Sequence, residues 1–206
     1  MNTELAYATF YLIIEEVFYM NAYTELPQGY KELEQIDLQK DKKLAFLVNG
    51  IGVVIMIAAF VIGHALVPFT EFYKMEGVLP LITIVAGTIL YMVLHELVHG
   101  IFMWHYSKEK PFYGYTGMYA YAGSNCYFNK KSYIVIALAP IVIWGIVLLI
   151  LNLIFRETWF WVIYFIQICN LSGAAGDLYV SYRFSKLPKD ILINDIGVSM
   201  TIYGLE

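Results

Sequence analysis

The sequence predicts an all-α membrane protein with four transmembrane helices and small β-hairpins on the cytoplasmic side. Hydrophobic residues make up 60% of the 206-residue chain and charged residues only 15%, whereas soluble domains average about 45–50% apolar residues. The apolar residues are gathered in runs long enough to cross a bilayer. Alternating patterns typical of strands occur only outside these runs. A net charge of −4 gives no reason to expect a nucleic-acid partner.

The segment before the first span, residues 1–43, is expected to be cytoplasmic and interfacial. Residues 5–14 form an apolar, aromatic stretch that is too short to span a bilayer, so we expect an interfacial helix. Because the stretch has no basic start and no small-residue cleavage site, it is not read as a signal peptide. Pro27 and Gly29 mark a turn. Residues 30–43 are interpreted as a charged, solvated approach to the membrane.

A metalloprotease core of four spans is predicted over residues 44–182. Each span offers roughly the 20 mostly apolar residues that a membrane helix needs. The spans cover about residues 48–67, 78–104, 134–155 and 158–182. Pro140, near the start of the third span, would be tolerated as a local break in that helix.

Two segments outside the spans show strand patterns. In the loop 105–133, tyrosines recur at even spacing, and residues 123–125 signal a turn before a return strand at 126–128. These tyrosines form either an interfacial aromatic belt or an edge strand that captures an extended peptide, and the two readings are compatible. In the tail, residues 183–206, a second hairpin is predicted around residues 194–197.

Basic residues predict the orientation. Eleven lysines and arginines lie before the first span, in the loop 105–133 and in the tail, whereas only Lys74 and Arg156 lie in the other two loops. Because cytoplasmic loops carry the excess of basic residues, both termini and the long loop are expected on the cytoplasmic side of the cell membrane.

The second span carries the sequence His95-Glu96-Leu97-Val98-His99. Residues four apart lie on one face of a helix, so the two imidazoles can hold Zn²⁺ together, with Glu96 placed as a general base. The alternative is a helix whose polar residues are satisfied by neighbours. Ionisable residues are costly inside a membrane, which favours the functional interpretation.

A catalytic zinc site needs a third protein ligand, and Asp177 is the only aspartate in a predicted span. Counted from the cytoplasmic helix ends, His95 and His99 lie about 15 and 9 Å deep and Asp177 about 9 Å deep. The three residues are therefore expected at one level. His64 lies near the opposite face and is interpreted as a hydrogen-bonded helix histidine. For Asp177 the alternative is a buried acid held by hydrogen bonds.

Together these residues carry a resemblance. The sequence around His95 and the later Asn170-Leu-Ser-Gly-Ala-Ala-Gly-Asp177 resemble the site-2 protease class of intramembrane zinc metalloproteases. More closely, residues 25–205 are similar to a family of small bacterial membrane proteins called putative zincin peptidases, through Leu26-Pro-Gln-Gly-Tyr30, Ala139-Pro140 and Gly176-Asp177. Site-2 proteases commonly have a proline where Gly173 stands and a glycine where Leu178 stands. The resemblance implies that Asn170 contacts the substrate or the oxyanion.

The sequence thus predicts a zinc-dependent intramembrane endopeptidase. His95, His99 and Asp177 would hold Zn²⁺, and Glu96 would act as the catalytic base. The expected partners are a membrane protein or peptide substrate and the lipid bilayer. The alternative is a non-catalytic zinc-binding adaptor or scaffold, which would not need a base at Glu96. A metal transporter fits poorly, because the spans offer only one cluster of acidic and histidine residues.

Overall fold

The computed structural model describes residues 22–117 and 119–205. Its helices are α1 (Lys42–Leu66), α2 (Thr70–Tyr73), α3 (Leu79–Ser107), α4 (Lys130–Ile154), α5 (Phe160–Gly173) and α6 (Ala175–Ser185). Its strands are β1 (Ala22–Tyr23), β2 (Tyr30–Ile36), β3 (Phe112–Tyr115), β4 (Ala120–Gly123), β5 (Tyr127–Asn129), β6 (Leu192–Asp195) and β7 (Met200–Leu205). The interfacial helix expected at residues 5–14 lies outside the described residues.

Three helices, α1, α3 and α4, are long and apolar enough to cross a membrane. They coincide with the first three predicted spans to within a few residues. Asp41 begins α1 by accepting hydrogen bonds from the amides of Lys43 and Leu44, and Asn129 begins α4 by accepting one from the amide of Ser132. Such side-chain acceptors satisfy donors that the first helical turn leaves unpaired.

The predicted fourth span, residues 158–182, is wrong as a continuous helix. The segment forms α5, with 14 residues, and α6, with 11, and the two meet at Ala174. Gly173 and Gly176 flank this break, and no atom beyond the adjacent backbone lies within 4 Å of the place where a side chain on either would begin. Their small size therefore does not serve close helix packing here. Glycine is a poor helix former, which accounts for the interruption.

A five-stranded antiparallel sheet corrects the all-α prediction. Its strand order is β1-β5-β6-β7-β2, so it joins the segment before α1, the loop after α3 and the tail. The predicted tail hairpin is confirmed as β6 and β7, with Gly197 at φ +83° in its turn. Strand β2 was missed and read as solvated chain. It is an edge strand of mostly charged and exposed residues, which hides its pairing from a hydrophobic pattern.

The hairpin predicted in the loop 105–133 exists with a different partner. Strand β3 pairs with β4, with Phe112 opposite Gly123, and the chain turns after Thr116. The return strand expected at 126–128 instead begins β5 and pairs with β6. This prediction was wrong because the turn at residues 123–125 leads the chain into the larger sheet rather than back onto β3.

The main core lies between the sheet and the adjoining helix ends. Phe128, Ile193 and Ile202 of the sheet are fully buried against Met103 of α3 and Phe184 of α6. Burial of this kind contributes about 1.5–3 kcal/mol for each large apolar side chain. The core therefore fixes the C-terminal ends of α3 and α6 and the N-terminal end of α4. These three helices form the site.

Candidate metal centre

Three predicted ligands meet at one point between α3 and α6. His95 and His99 are buried on one face of α3, and Asp177 lies in the first turn of α6, close to the break at Ala174. One ligand atom from each lies within 4.8 Å of the others. Within the described residues these form the group able to hold a metal ion. A helix N-terminus also favours the negative charge of a carboxylate.

The spacing of these atoms fits a small tetrahedral ion. The two Nε2 atoms are 3.2 Å apart, and the Asp177 oxygens lie 3.3 Å from His95 Nε2 and 3.6 Å from His99 Nε2. Zinc bonds of about 2.0–2.2 Å at tetrahedral angles place ligand atoms roughly 3.3–3.6 Å apart. Two imidazoles and a carboxylate are also ligand types that zinc binds in catalytic sites.

A buried relay holds His95. Its Nδ1 lies 2.8 Å from the hydroxyl of Tyr91, which donates in turn to Asn170 Oδ1 at 3.0 Å. Asn170 Nδ2 donates to the carbonyl of Ile141 at 3.2 Å. Because the Tyr91 proton is committed to Asn170, the Tyr91 oxygen accepts from Nδ1–H of His95. The Nε2 of His95 is then left with its lone pair directed at the metal position.

His99 is held by backbone instead. Its Nδ1 lies 2.9 Å from the carbonyl oxygen of Ile136 in α4. A carbonyl can only accept, so this nitrogen carries the proton and Nε2 is free to bind a metal. Both histidines are therefore fixed in the same tautomer by partners behind the ring.

Asn170 lies behind the site rather than in it. The side chain is fully buried, and both ends of its amide are engaged by Tyr91 and the Ile141 carbonyl. It does not appear among the residues that line the cavity. Its predicted contact with substrate or the oxyanion stays a prediction, and the observed contacts point to support of His95.

Glu96 is tied to the β3–β4 hairpin. Its Oε2 accepts a hydrogen bond of 2.8 Å from the amide of Ala122 in β4. The hairpin lies against α3 at Gly100, where any side chain would overlap the ring of Tyr113. Close packing at Gly100 thus brings the edge of β4 to the carboxylate of Glu96.

A cavity of about 500 Å³ connects these groups. His95, Glu96, His99 and Asp177 line its middle. Its two ends differ in character: Thr88, Met92 and Cys169 line the end within the helices, and Tyr133, Asp195 and Met200 line the end at the sheet. No lysine or arginine lines it among the described residues. It therefore presents carboxylates and apolar surface to any occupant.

Asp195 closes the sheet end of the cavity. Its carboxylate accepts hydrogen bonds from the Tyr133 hydroxyl at 2.5 Å and from the Gly197 amide at 2.7 Å. Burial raises the pKa of the Asp195 carboxyl, and these hydrogen bonds oppose that rise. The residue joins α4 to the β6–β7 turn and so fixes this wall of the cavity.

His64 is not part of the centre. It lies in the last turn of α1, and its Nδ1 accepts a hydrogen bond of 3.1 Å from the amide of Phe69. The interpretation of His64 as a hydrogen-bonded helix histidine is confirmed.

A family model described as putative zincin peptidase matches residues 88–192, about half of the chain. The matched segment contains His95, Glu96, His99 and Asp177. The chain belongs to this family. The description of the family suggests a zinc peptidase, and the two histidines and the aspartate at the centre are residue types that bind zinc. Neither the comparison with curated proteins nor that with solved structures gives a match.

Three residues that support the candidate metal centre were missed from the sequence. Tyr91 precedes His95 by four residues and so shares its helical face, which is a signal that the spacing already contained. The Ile136 carbonyl and the Ala122 amide are backbone groups of distant segments. Every residue has these backbone groups, so the residue types at the two positions do not predict a contact with His99 or Glu96.

Proposed function

We propose that the protein is a zinc-dependent endopeptidase that hydrolyses peptide bonds of membrane-embedded substrates, in the manner of site-2 proteases. The observation that carries the proposal is the meeting of His95, His99 and Asp177 beside Glu96 in one cavity. The cavity lies along α3, a helix long and apolar enough to cross a membrane. The family to which the chain belongs supports peptide hydrolysis.

His95, His99 and Asp177 would hold the metal. When bound, Zn²⁺ supplies a Lewis acid that polarises the scissile carbonyl and lowers the pKa of a water molecule. Asp177 brings a negative charge to the ligand set, and the held Nδ1 atoms keep both imidazoles aimed at the same point.

Glu96 would act as the general base. It lines the cavity beside the ligands, and the Ala122 amide fixes one of its two oxygens. The carboxylate takes a proton from the attacking water and passes it to the leaving amine. The hydrogen bond to Ala122 restrains the side-chain rotation that would carry the base away from the water.

The outer edge of β4 is the proposed substrate contact. Ala120 and Ala122 line the cavity, and alternate residues of a strand present their backbone groups to the same side. The Ala122 amide already donates to Glu96. The Ala122 carbonyl and the backbone groups of Ala120 therefore remain available on the side that faces the cavity. A substrate helix would have to unwind before its backbone could pair there, because a helix keeps its carbonyls in internal hydrogen bonds.

The proposed setting is the cell membrane, with both termini and the loop 105–133 in the cytoplasm. The excess of basic residues in these segments supports that orientation. The sheet gathers all three of them, so they share one side of the protein. The broken pair α5 and α6 would make the fourth crossing.

The alternative function is a non-catalytic zinc-binding adaptor, and one substitution separates it from a protease. Glu96→Gln keeps the size of the side chain and an acceptor for Ala122 but cannot take a proton from water. We expect cleavage of a membrane-spanning peptide by the purified protein to fall by about 10²–10⁴-fold. Zinc content should not change.

The matched control is Glu109→Gln, the same chemical change at an exposed position after α3. It should cleave at the wild-type rate. If Glu96→Gln also cleaves at that rate, or if the zinc-loaded wild type cleaves nothing, the adaptor replaces the protease.

A further inference from the structure

A proline interrupts the hydrogen bonds of α4 beside the metal centre. Pro140 lies inside this helix, and proline has no backbone N–H to give to the carbonyl four residues earlier. That carbonyl belongs to Ile136, which is only 1% exposed. Inside a membrane no water is present to satisfy such a group, so it needs a donor from elsewhere in the protein.

The donor is a metal ligand. His99 Nδ1 lies 2.9 Å from the Ile136 oxygen and donates to it across the interface between α3 and α4. The ring nitrogen across from it, Nε2, lies 3.2 Å from His95 Nε2 and 3.6 Å from Asp177 Oδ1. The carbonyl that the proline leaves unpaired is therefore the one that orients His99.

We propose that Pro140 is a positioning residue of the metal centre. By withholding an N–H, it reserves the Ile136 carbonyl for His99 and so fixes the tautomer and direction of that ring. Any other residue at position 140 would supply a competing donor, and the proline ring also pushes the carbonyl away from the helix axis. The inference rests on the proposed function, since it assigns the proline to the zinc site of the same enzyme.

The two histidines are held by different means, which makes the effect specific. His95 depends on the side chains of Tyr91 and Asn170. Only His99 bonds directly to a backbone group of α4, whereas His95 reaches the Ile141 carbonyl of that helix through two intervening side chains. A change at position 140 should therefore act through His99.

The experiment measures zinc affinity of the purified full-length chain by competition with a chromogenic chelator. Pro140→Ala restores an N–H and should weaken zinc binding by about 10–100-fold, the usual effect of losing a partner behind a ligand. Lactic acid introduced at position 140 has neither N–H nor ring and should bind zinc as tightly as proline does. Pro80→Ala, in the first turn of α3, is the matched control and should have no effect, because amides there have no helical acceptor anyway.

Two results would overturn the inference. In the first, Pro140→Ala binds zinc as tightly as the wild type. In the second, the lactic acid variant loses as much affinity as Pro140→Ala, which would assign the effect to the ring and the bend of the helix. This experiment measures zinc affinity and not cleavage. If the Glu96→Gln test ruled out the protease, the inference about Pro140 would therefore still stand. If the wild-type protein bound no zinc, both the proposed function and the inference about Pro140 would be wrong.

Discussion

At the scale of single residues, the centre depends on what lies behind its ligands. The Nε2 atoms of His95 and His99 face the metal position because their Nδ1 atoms are engaged by Tyr91 and the Ile136 carbonyl. A ring that turned over about its Cβ–Cγ bond would carry Nε2 away from the metal position and bring a carbon there instead. Holding each ring in advance lowers the entropy lost on binding the metal.

We predict that Tyr91→Phe weakens zinc binding by about 10–100-fold, because it removes the acceptor that orients His95. It also leaves Asn170 Oδ1 buried without a donor, at a cost of about 1–3 kcal/mol in the free energy of unfolding. Chelator competition and chemical denaturation measure the two effects. Adding Asn170→Leu should restore stability and leave zinc binding weak.

Tyr106→Phe, one further hydroxyl removed from the same helix, serves as the control and should change neither quantity. If the double variant recovered zinc affinity together with stability, the relay would be a packing feature of α3 and α5 and nothing more.

That His95, His99 and Asp177 lie together could be predicted from the sequence, whereas the groups that support them could not. The spacing of His95 and His99 follows from helical periodicity, and Asp177 was found by matching its depth to theirs. Both arguments use distances along single helices. Asn170 was assigned to the substrate or the oxyanion by the family resemblance, which does not reveal its hydrogen bond with Tyr91 of another helix.

At the scale of elements, the hairpin β3–β4 positions the carboxylate of Glu96, the proposed general base on α3. Its attachment to α3 depends on Gly100, where the ring of Tyr113 lies in the space that a side chain would fill. The hairpin in turn brings the Ala122 amide to Glu96. A disturbance at Gly100 should therefore reach the carboxylate without touching a ligand.

We predict that Gly100→Ala lowers the cleavage rate by about tenfold, through loss of restraint on a general base whose full effect is about 10²–10⁴-fold. Zinc affinity should stay at the wild-type value, because the ligands and their partners are unchanged. In a Tyr113→Ala background the overlap is gone, so Gly100→Ala should cost nothing further. Equal, additive losses in the two backgrounds would contradict this coupling.

Local patterns marked the strands of the loop after α3 and of the tail, but they missed β1 and β2 and some of the pairings. Even spacing of tyrosines marked β3 and β4, while the strand at 126–128 was assigned to the wrong neighbour. Pairing of β5 with β6 joins residues more than sixty positions apart, and no local turn specifies it. The glycines at residues 172–176 permit non-helical backbone, but a single span was predicted there because α5 and α6 together have the length and composition of one.

At the scale of the whole molecule, the sheet constrains the path through the membrane. Strands before α1, between α3 and α4, and after α6 lie in one sheet. If α4 leads away from the sheet, α5 and α6 must lead back to it. Their 14 and 11 residues rise by about 37 Å at 1.5 Å each, enough for a hydrocarbon core of about 30 Å. Trp161, near the start of α5, donates to the Pro68 carbonyl just after α1, which places both at the far end.

We predict four crossings with both termini inside. A reporter fused after Glu206 or inserted at Glu109 should be cytoplasmic, and reporters at Lys74 and Arg156 should be outside. Compartment-specific activity of the reporter measures each position. A cytoplasmic reporter at Arg156 would mean that α4 does not cross, and the depth argument for Asp177 would lose its basis.

The pairing of β2 with β7 has a consequence for how the protein is made. Strand β2 leaves the ribosome before helices α1 to α6, yet its partner β7 follows all six of them. At about 5–20 residues per second, β2 waits on the order of 10–30 s for β7. During this interval the nascent chain already holds both histidines and Glu96 in the membrane, while the sheet that encloses them is unfinished. For the proposed protease, the wall of the centre would stay incomplete until β7 is made, so we expect chains truncated before β7 to leave neighbouring membrane proteins uncut.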